Sequence, residues 1–175
     1  MIRLGDVADI VSGYNVVRLS DEEQKRKYSN DNFEHDFYRM KLAAPTNDII
    51  YRQSISDRNM SATIISNENK DKRISQVFSI MKVDTQKINL WYLCYLLNES
   101  DEIARQSSVL LQGSVIARLS AQQLKQIEIP VIPLEKQEKL GWLYVTALYQ
   151  YELEMTKAKM KLQGIRWMLH DQEHS

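Results

Sequence analysis

The sequence predicts an α+β protein: one mixed domain over residues 1–133, followed by a long C-terminal coiled-coil helix and short tail over residues 134–175. Three observations carry this expectation. Short β-prone runs and helical runs are interspersed up to Pro133. Two prolines, Pro130 and Pro133, then punctuate an extended exit, "IEIPVIP", because each residue before a proline is pushed away from the α region. Beyond them no proline occurs, and apolar or small residues recur with a heptad period.

In chain order, "IRLGDVADIVSG" predicts a short strand or turn and then an amphipathic helix, with Asp6 as N-cap and Gly13 as stop. "LSDEEQKRKYSNDNFEHD" is charged and predicts a solvent-facing segment, helical in its first half with Ser20 or Asp21 as cap. "FYRMKLA", "DIIYRQSI", "SATIIS" and "ISQVFSIMKV" are β-prone. "NLWYLCYLLNESDEIARQ" is the clearest helix of the domain, with Leu90, Leu93, Leu96 and Leu97 at helical spacing. "ARLSAQQLKQ" is a short helix capped by Ser120.

The C-terminal heptads place Leu148, Met155, Leu162 and Leu169 at a, and Tyr144, Tyr151, Ala158 and Ile165 at d. A helix over residues 134–170 is roughly 55 Å long, at about 1.5 Å per residue. That is too long to fold back fully on the preceding domain, so it calls for another helix. Glu152 and Glu154 lie at e and g of its first half; Lys159, Lys161 and Arg166 lie at e and g of its second. Two parallel copies align acid with acid. Two antiparallel copies bring Glu152 towards Lys159 and Glu154 towards Lys161, with a dyad between Thr156 and Lys157. An antiparallel homodimer is therefore expected, with a different chain as the other occupant of the same seam. A second apolar stripe, Trp142, Tyr149, Leu153, Met160 and Trp167, falls at b and f and predicts a further partner. Packing near Trp142 on the chain's own domain is the alternative.

Composition excludes several classes. The chain has one cysteine, Cys94, in an apolar run, so it forms no internal disulfide and is expected to be a buried thiol. No apolar run approaches membrane-spanning length, and the expected location is cytoplasmic, with no membrane partner. Net charge is zero, which removes the global basic signature of many DNA-binding domains and leaves only local clusters. Lys25-Arg26-Lys27 is one; Lys70, Lys72 and Arg73 form another, suited to phosphates. The polar stretches "YRQS" and "SDRN" carry Arg52, Gln53, Arg58 and Asn59, side-chain types that pair with guanine and adenine edges.

Catalytic signals are weak. Asp48 followed by Glu68 and Lys70 imitates the acidic and E-x-K spacing of metal-dependent nucleases, but it is short and built from common surface residues. The three histidines have no partner at zinc spacing. No phosphate loop, dinucleotide fingerprint or nucleophile elbow is present. No catalytic residue, metal or cofactor is expected in this chain.

Four segments in order resemble the specificity subunits of type I restriction-modification systems: "IRLGDVADIVSGY" (2–14), "ISQVFSIMKVDTQKINLWYLCYLLNE" (74–99), "LQGSVIARLSAQQLKQIEIPVIP" (111–133) and "LEKQEKL" (134–140). The resemblance implies a target-recognition domain over 1–133 and a spacer helix after it, in a chain without catalytic activity that binds double-stranded DNA. It implies docking of a DNA methyltransferase subunit, which would hold S-adenosylmethionine, and a restriction or motor subunit as a further partner. A full subunit of that family carries two such domains and two helices. This chain has one of each and so resembles a half-subunit that dimerises and reads a bipartite palindrome. The DNA-contact set expected on this basis is Arg18, Arg52, Gln53, Arg58, Asn59, Arg73, Gln112 and Ser114. Trp142 through Trp167 would face the methyltransferase. The alternative is an adapter or regulator that binds the methyltransferase through its helix without reading DNA.

Overall fold

The structure is a computed structural model that describes residues 1–15, 20–22, 26–43, 48–53, 60–112 and 118–173. It shows a mixed α+β domain followed by a long C-terminal helix. Among the described residues, strands β1 (Ile2–Arg3), β2 (Ala8–Ser12), β3 (Asp48–Arg52), β4 (Ala62–Ile64), β5 (Phe78–Val83) and β6 (Glu128–Ile129) alternate with helices α1 (Asn30–Tyr38), α2 (Leu90–Glu99), α3 (Asp101–Leu110), α4 (Ala121–Leu124) and α5 (Leu134–Glu173).

Four strands form an antiparallel sheet in the order β2-β5-β3-β4. β1 and β6 pair separately and tie the first residues to the exit segment. One sheet face carries Ile10, Ile49, Ile64 and Met81 into the main core, where α2 covers them with Leu93 and Leu97. The other face is covered only in part, by a small cluster of Tyr28, Phe33, Ile50, Ile65, Ile74 and Phe78. Among the described residues no further cluster covers the remainder of that face.

Several expectations are corrected. Residues 8–12 form strand β2, not a helix, because Ala8 and Ile10 alternate inward while Asp9 and Val11 point out. Asp6 caps only a 3₁₀ turn, accepting a hydrogen bond from Arg3 N at 3.1 Å. Gly13 does not stop a helix: its chain passes so close to residues 74–75 that a Cβ would lie 2.2 Å from Ser75 O.

The segment expected to face solvent contains α1. Ser29 caps it by accepting from Asn32 N at 3.2 Å, and Phe33, Asp36 and Phe37 are buried. "FYRMKLA" is correspondingly not a strand: Phe37 and Tyr38 end α1, and Met40–Leu42 is a 3₁₀ turn. Helix propensity was masked there by charged neighbours, while Phe33, Phe37 and Met40 keep the 3–4 spacing of an apolar face. Finally, the helix expected over 89–106 breaks at Ser100, whose extended backbone ends α2 and whose Oγ accepts from Ile103 N at 3.4 Å to begin α3. Ser120 caps α4 as expected, accepting from Gln123 N at 3.3 Å.

α5 docks by its first half. Gln137 is buried, with Asn89 N donating to its Oε1 at 2.8 Å and its own Nε2 donating to Ile132 O at 2.8 Å. Gly141 lets the helix approach the start of α2, since a Cβ there would sit 2.6 Å from Tyr92 N. Val145 is fully buried, and Tyr144 packs against Tyr95 with ring centroids 5.6 Å apart. Further on, Tyr151 stacks on Tyr38 at 5.7 Å, and Arg39 Nε donates to Glu152 Oε1 at 2.8 Å. From Leu153 to Gln172 every residue is exposed. No described helix is long and apolar enough to cross a membrane.

Candidate nucleic-acid interface

The remainder of the second sheet face is where the basic residues collect. Arg73 N donates to Arg26 O at 2.9 Å, and Tyr28 N donates to Arg73 O at 2.8 Å. This short parallel bridge lays residues 26–28 beside residues 70–73. Two basic clusters far apart in sequence therefore share one surface, and the described members are Arg26, Lys27, Lys70, Lys72 and Arg73. Beside them Tyr14 N donates to Ile74 O at 2.8 Å, and Gln76 N donates to Tyr14 O at 2.9 Å. The Gly13 crossing thus fixes Tyr14 at the edge of the basic surface. The Arg73 guanidinium lies 5.8 Å from the Tyr14 ring centroid, within cation–π range.

A recess of about 410 Å³ opens between these groups. Its walls include Ile50, Ile74 and Ile80, and its rim includes Tyr14, Asp48, Lys70, Lys72 and Arg73. Asp48 stands opposite Lys82 in the β3–β5 register. Lys70 and Lys72 make no ion pair with a described carboxylate, so their charge is available to a ligand.

The floor beneath the basic surface is held by Asp36, which sequence reasoning missed. Its buried carboxylate accepts from Tyr28 Oη at 2.8 Å, Asn69 Nδ2 at 2.8 Å and Ser66 N at 3.2 Å. It thereby ties α1 to Tyr28 and to the 66–69 turn that precedes Lys70. Burial, followed by the Asp36 charge and hydrogen bond, pushes the Tyr28 phenol far above its ordinary range. The available signal was a carboxylate lying on the apolar face of Phe33, Phe37 and Met40. Burying a charge there demands several donors.

The expected DNA contacts divide. Arg73 is exposed on the basic surface, and Gln112 is exposed at the end of α3. Arg52 is half-buried, with its guanidinium 4.3 Å from the Phe33 ring centroid. Gln53 lies inside: it is 7% exposed, and its Nε2 donates to Ser79 Oγ at 3.0 Å and Phe78 O at 3.4 Å. Its Nε2 is thus engaged within the sheet, at the end of β3. Arg18, Arg58, Asn59 and Ser114 lie outside the described residues.

The helix residues divide too. Tyr144 and Leu148 are partly buried against the chain's own core. Tyr151, Met155, Ala158, Leu162, Ile165 and Leu169 are exposed. On the second stripe Tyr149 is half-buried, while Leu153, Met160 and Trp167 are exposed. Trp142 is exposed with Lys41 Nζ 5.2 Å from its ring centroid. One oxygen of Glu152, Oε2, is buried without a hydrogen-bond partner.

The nuclease-like trio is not assembled. Asp48 and Lys70 line the recess, while Glu68 is not part of its lining and has its Oε2 3.8 Å from His35 Nε2. Among the described residues no group of three His, Cys, Asp or Glu side chains could hold a metal ion. Cys94 is fully buried, and burial pushes its thiol well above the ordinary range, as expected of a structural thiol.

No family model and no curated protein matches the sequence. Solved structures do match. The HsdS subunit from Thermoanaerobacter tengcongensis superposes with a TM-score of 0.52 at 18% identity, covering 90% of this chain and 38% of that one. A chain from a structure of the complex assembly and conformational transition of the type I R-M system gives 0.53 at 16% identity, covering 93% of this chain and 41% of that one. The fold is thus similar to that of type I specificity subunits, and this chain spans about two fifths of the length of those chains.

Proposed function

We propose that the chain is a non-catalytic DNA sequence-recognition subunit of a type I restriction-modification system. It acts as a half-subunit that dimerises through α5, reads a bipartite palindrome and positions adenine methyltransferase subunits. Residues 1–133 serve as the recognition domain and residues 134–175 as the spacer. The observation that carries this reading is the convergence of Arg26–Lys27 with Lys70–Arg73 on one sheet face of a domain with the HsdS fold. The basic surface supplies phosphate contacts, which position a protein on DNA. Arg18, Arg58, Asn59, Arg73, Gln112 and Ser114 remain the proposed contact set. Gln53 leaves it because its amide is engaged inside, and Arg52 contributes through its stack on Phe33 more than through base contact.

Dimerisation rests on the distal half of α5. Met155, Ala158, Leu162, Ile165 and Leu169 form a bare stripe continuous with Tyr151. In the antiparallel arrangement the mate's Lys159 approaches Glu152, whose Oε1 already accepts from Arg39 Nε. The stripe from Trp142 to Trp167 faces the methyltransferase.

Fluorescence anisotropy with a duplex library tests the DNA reading. Duplex binding should weaken at least tenfold in the Lys70→Ala/Lys72→Ala/Arg73→Ala variant, with a shallower salt dependence and the dimer intact. Cysteine cross-linking tests the dimer. Tyr151→Cys/Leu162→Cys should form a disulfide-linked dimer while neither single variant does; a parallel dimer would link through the single variants. The adapter reading is favoured by the inward engagement of Gln53 and Arg52. It predicts an unchanged methyltransferase interaction and no duplex binding by the native chain.

A further inference from the structure

The recess beside Tyr14 has a composition that a phosphate-contacting surface does not need. Backbone contact requires only positive charge near solvent. Here the charge lies beside an apolar lining, the partly exposed Ile80 with the edges of the buried Ile50 and Ile74, together with an aromatic ring and a carboxylate. Tyr14 is 64% exposed, yet its backbone is fixed on both sides by hydrogen bonds to residues 74 and 76. An exposed ring on a rigid mount is a stacking platform, and base–aromatic stacking contributes to binding without sequence preference. The volume of about 410 Å³ falls in the range of small-molecule sites, about 300–1,000 Å³. A double helix does not enter a recess of this size; a single nucleotide does.

We propose that this recess takes one nucleotide, with its phosphate on Lys70, Lys72 and Arg73, its base against Tyr14 and the isoleucine lining, and Asp48 at the base's hydrogen-bonding edge. A carboxylate accepts from the exocyclic amine of cytosine, so cytosine is preferred to thymine. The nucleotide comes either from an unstacked position in a DNA strand or from free solution; the first source rests on the DNA-reading function proposed above. Gly13 is the positioning residue for the platform, because any side chain there collides with Ser75 O and moves Tyr14.

Calorimetric titration of the full chain with dCMP, dTMP and inorganic phosphate tests the site. dCMP should bind at least tenfold more tightly than phosphate and several-fold more tightly than dTMP. Tyr14→Ala should remove the advantage over phosphate, and Tyr14→Phe should keep it. Lys70→Ala/Lys72→Ala should weaken dCMP and phosphate alike, and Asp48→Asn should reduce the dCMP preference over dTMP. If dCMP binds no better than phosphate, the recess is a plain electrostatic patch and the proposal fails. A duplex and the same duplex with one bulged cytosine separate the sources. Tighter binding of the bulged duplex places the nucleotide in a strand. Binding of dCMP without binding of either duplex keeps the site as one for free nucleotides and overturns the DNA-reading function. Equal binding of both duplexes with no dCMP site leaves DNA reading standing and overturns the recess.

Discussion

The two halves of α5 share one heptad pattern and have opposite surroundings. From Gln137 to Glu152 the helix is seated on its own domain through Gln137, Gly141, Val145 and Glu152. From Leu153 to Gln172 every residue is exposed. The apolar stripe nevertheless continues unbroken. Burial within the chain therefore explains the first half of the pattern and not the second. Isolated exposed apolar residues are ordinary, but a regular stripe of them on one helix marks an interaction surface. The glycines show the same contrast: Gly141 is required by contact with α2, while nothing lies within 4 Å of a Cβ at Gly164.

The comparison breaks most visibly at Gly141. Gly141→Leu places side-chain atoms on α2 backbone that cannot move aside, and should cost about 3 kcal/mol, at the upper end for overpacking. Urea denaturation of the domain reads this directly. Next in size is the response to alkali, which should strike only the packed region. Burial pushes Tyr51 up to about 12. Burial first, then the Glu99 charge, moves Tyr144 in the same direction, and burial does so for Cys94. These groups keep protons in the folded state that the unfolded chain releases, above about pH 8.5 for a thiol and 10 for a phenol. Their stabilising contribution is thus complete below those values and is lost as pH rises towards 12. Tyr51 alone accounts for about 2–3 kcal/mol. Unfolding followed by near-ultraviolet circular dichroism should show stability falling across that window.

Gln137→Ala removes the acceptor for Asn89 N and should cost about 1–3 kcal/mol in the same denaturation experiment. In the distal half the sign reverses. Gly164→Ala should stabilise the helix by about 1 kcal/mol, seen as increased helicity without a change in the domain's transition. The smallest effect on the domain is the most informative one. Leu162→Asp should shift its unfolding by less than about 0.5 kcal/mol, while sedimentation shows the dimer dissociating. Domain destabilisation by Leu162→Asp would mean that the distal stripe packs on its own domain after all.

Much of the architecture was legible locally. The strands at 48–52, 62–64 and 78–83, the Ser120 cap, the proline-marked exit and the long helix all follow from periodicity and turn chemistry. Two segments misled for identifiable reasons. Residues 8–12 mix small, acidic and branched residues, so a five-residue alternation is easily taken for a helical face. Residues 30–38 hide Phe33 and Phe37 among charges, and the decisive residue, Asp36, has no sequence-local partner. Its donors come from Tyr28, Ser66 and Asn69. The basic surface was legible only as fragments. Lys25–Lys27 and Lys70–Arg73 were visible as weak clusters, while Tyr14 carried no signal until Gly13 was seen crossing Ser75.

The sequence by itself determined the division into a mixed domain and a helix, the heptad pattern of that helix and its acid-then-base order. Those properties depend on residues within a few turns of one another, where spacing translates directly into a shared face. The tertiary structure decided which part of the seam the chain covers itself, that Gln53 turns inward, and that two basic segments meet around one recess. Those outcomes depend on sheet register and on backbone approach distances at Gly13 and Gly141, which no local pattern encodes.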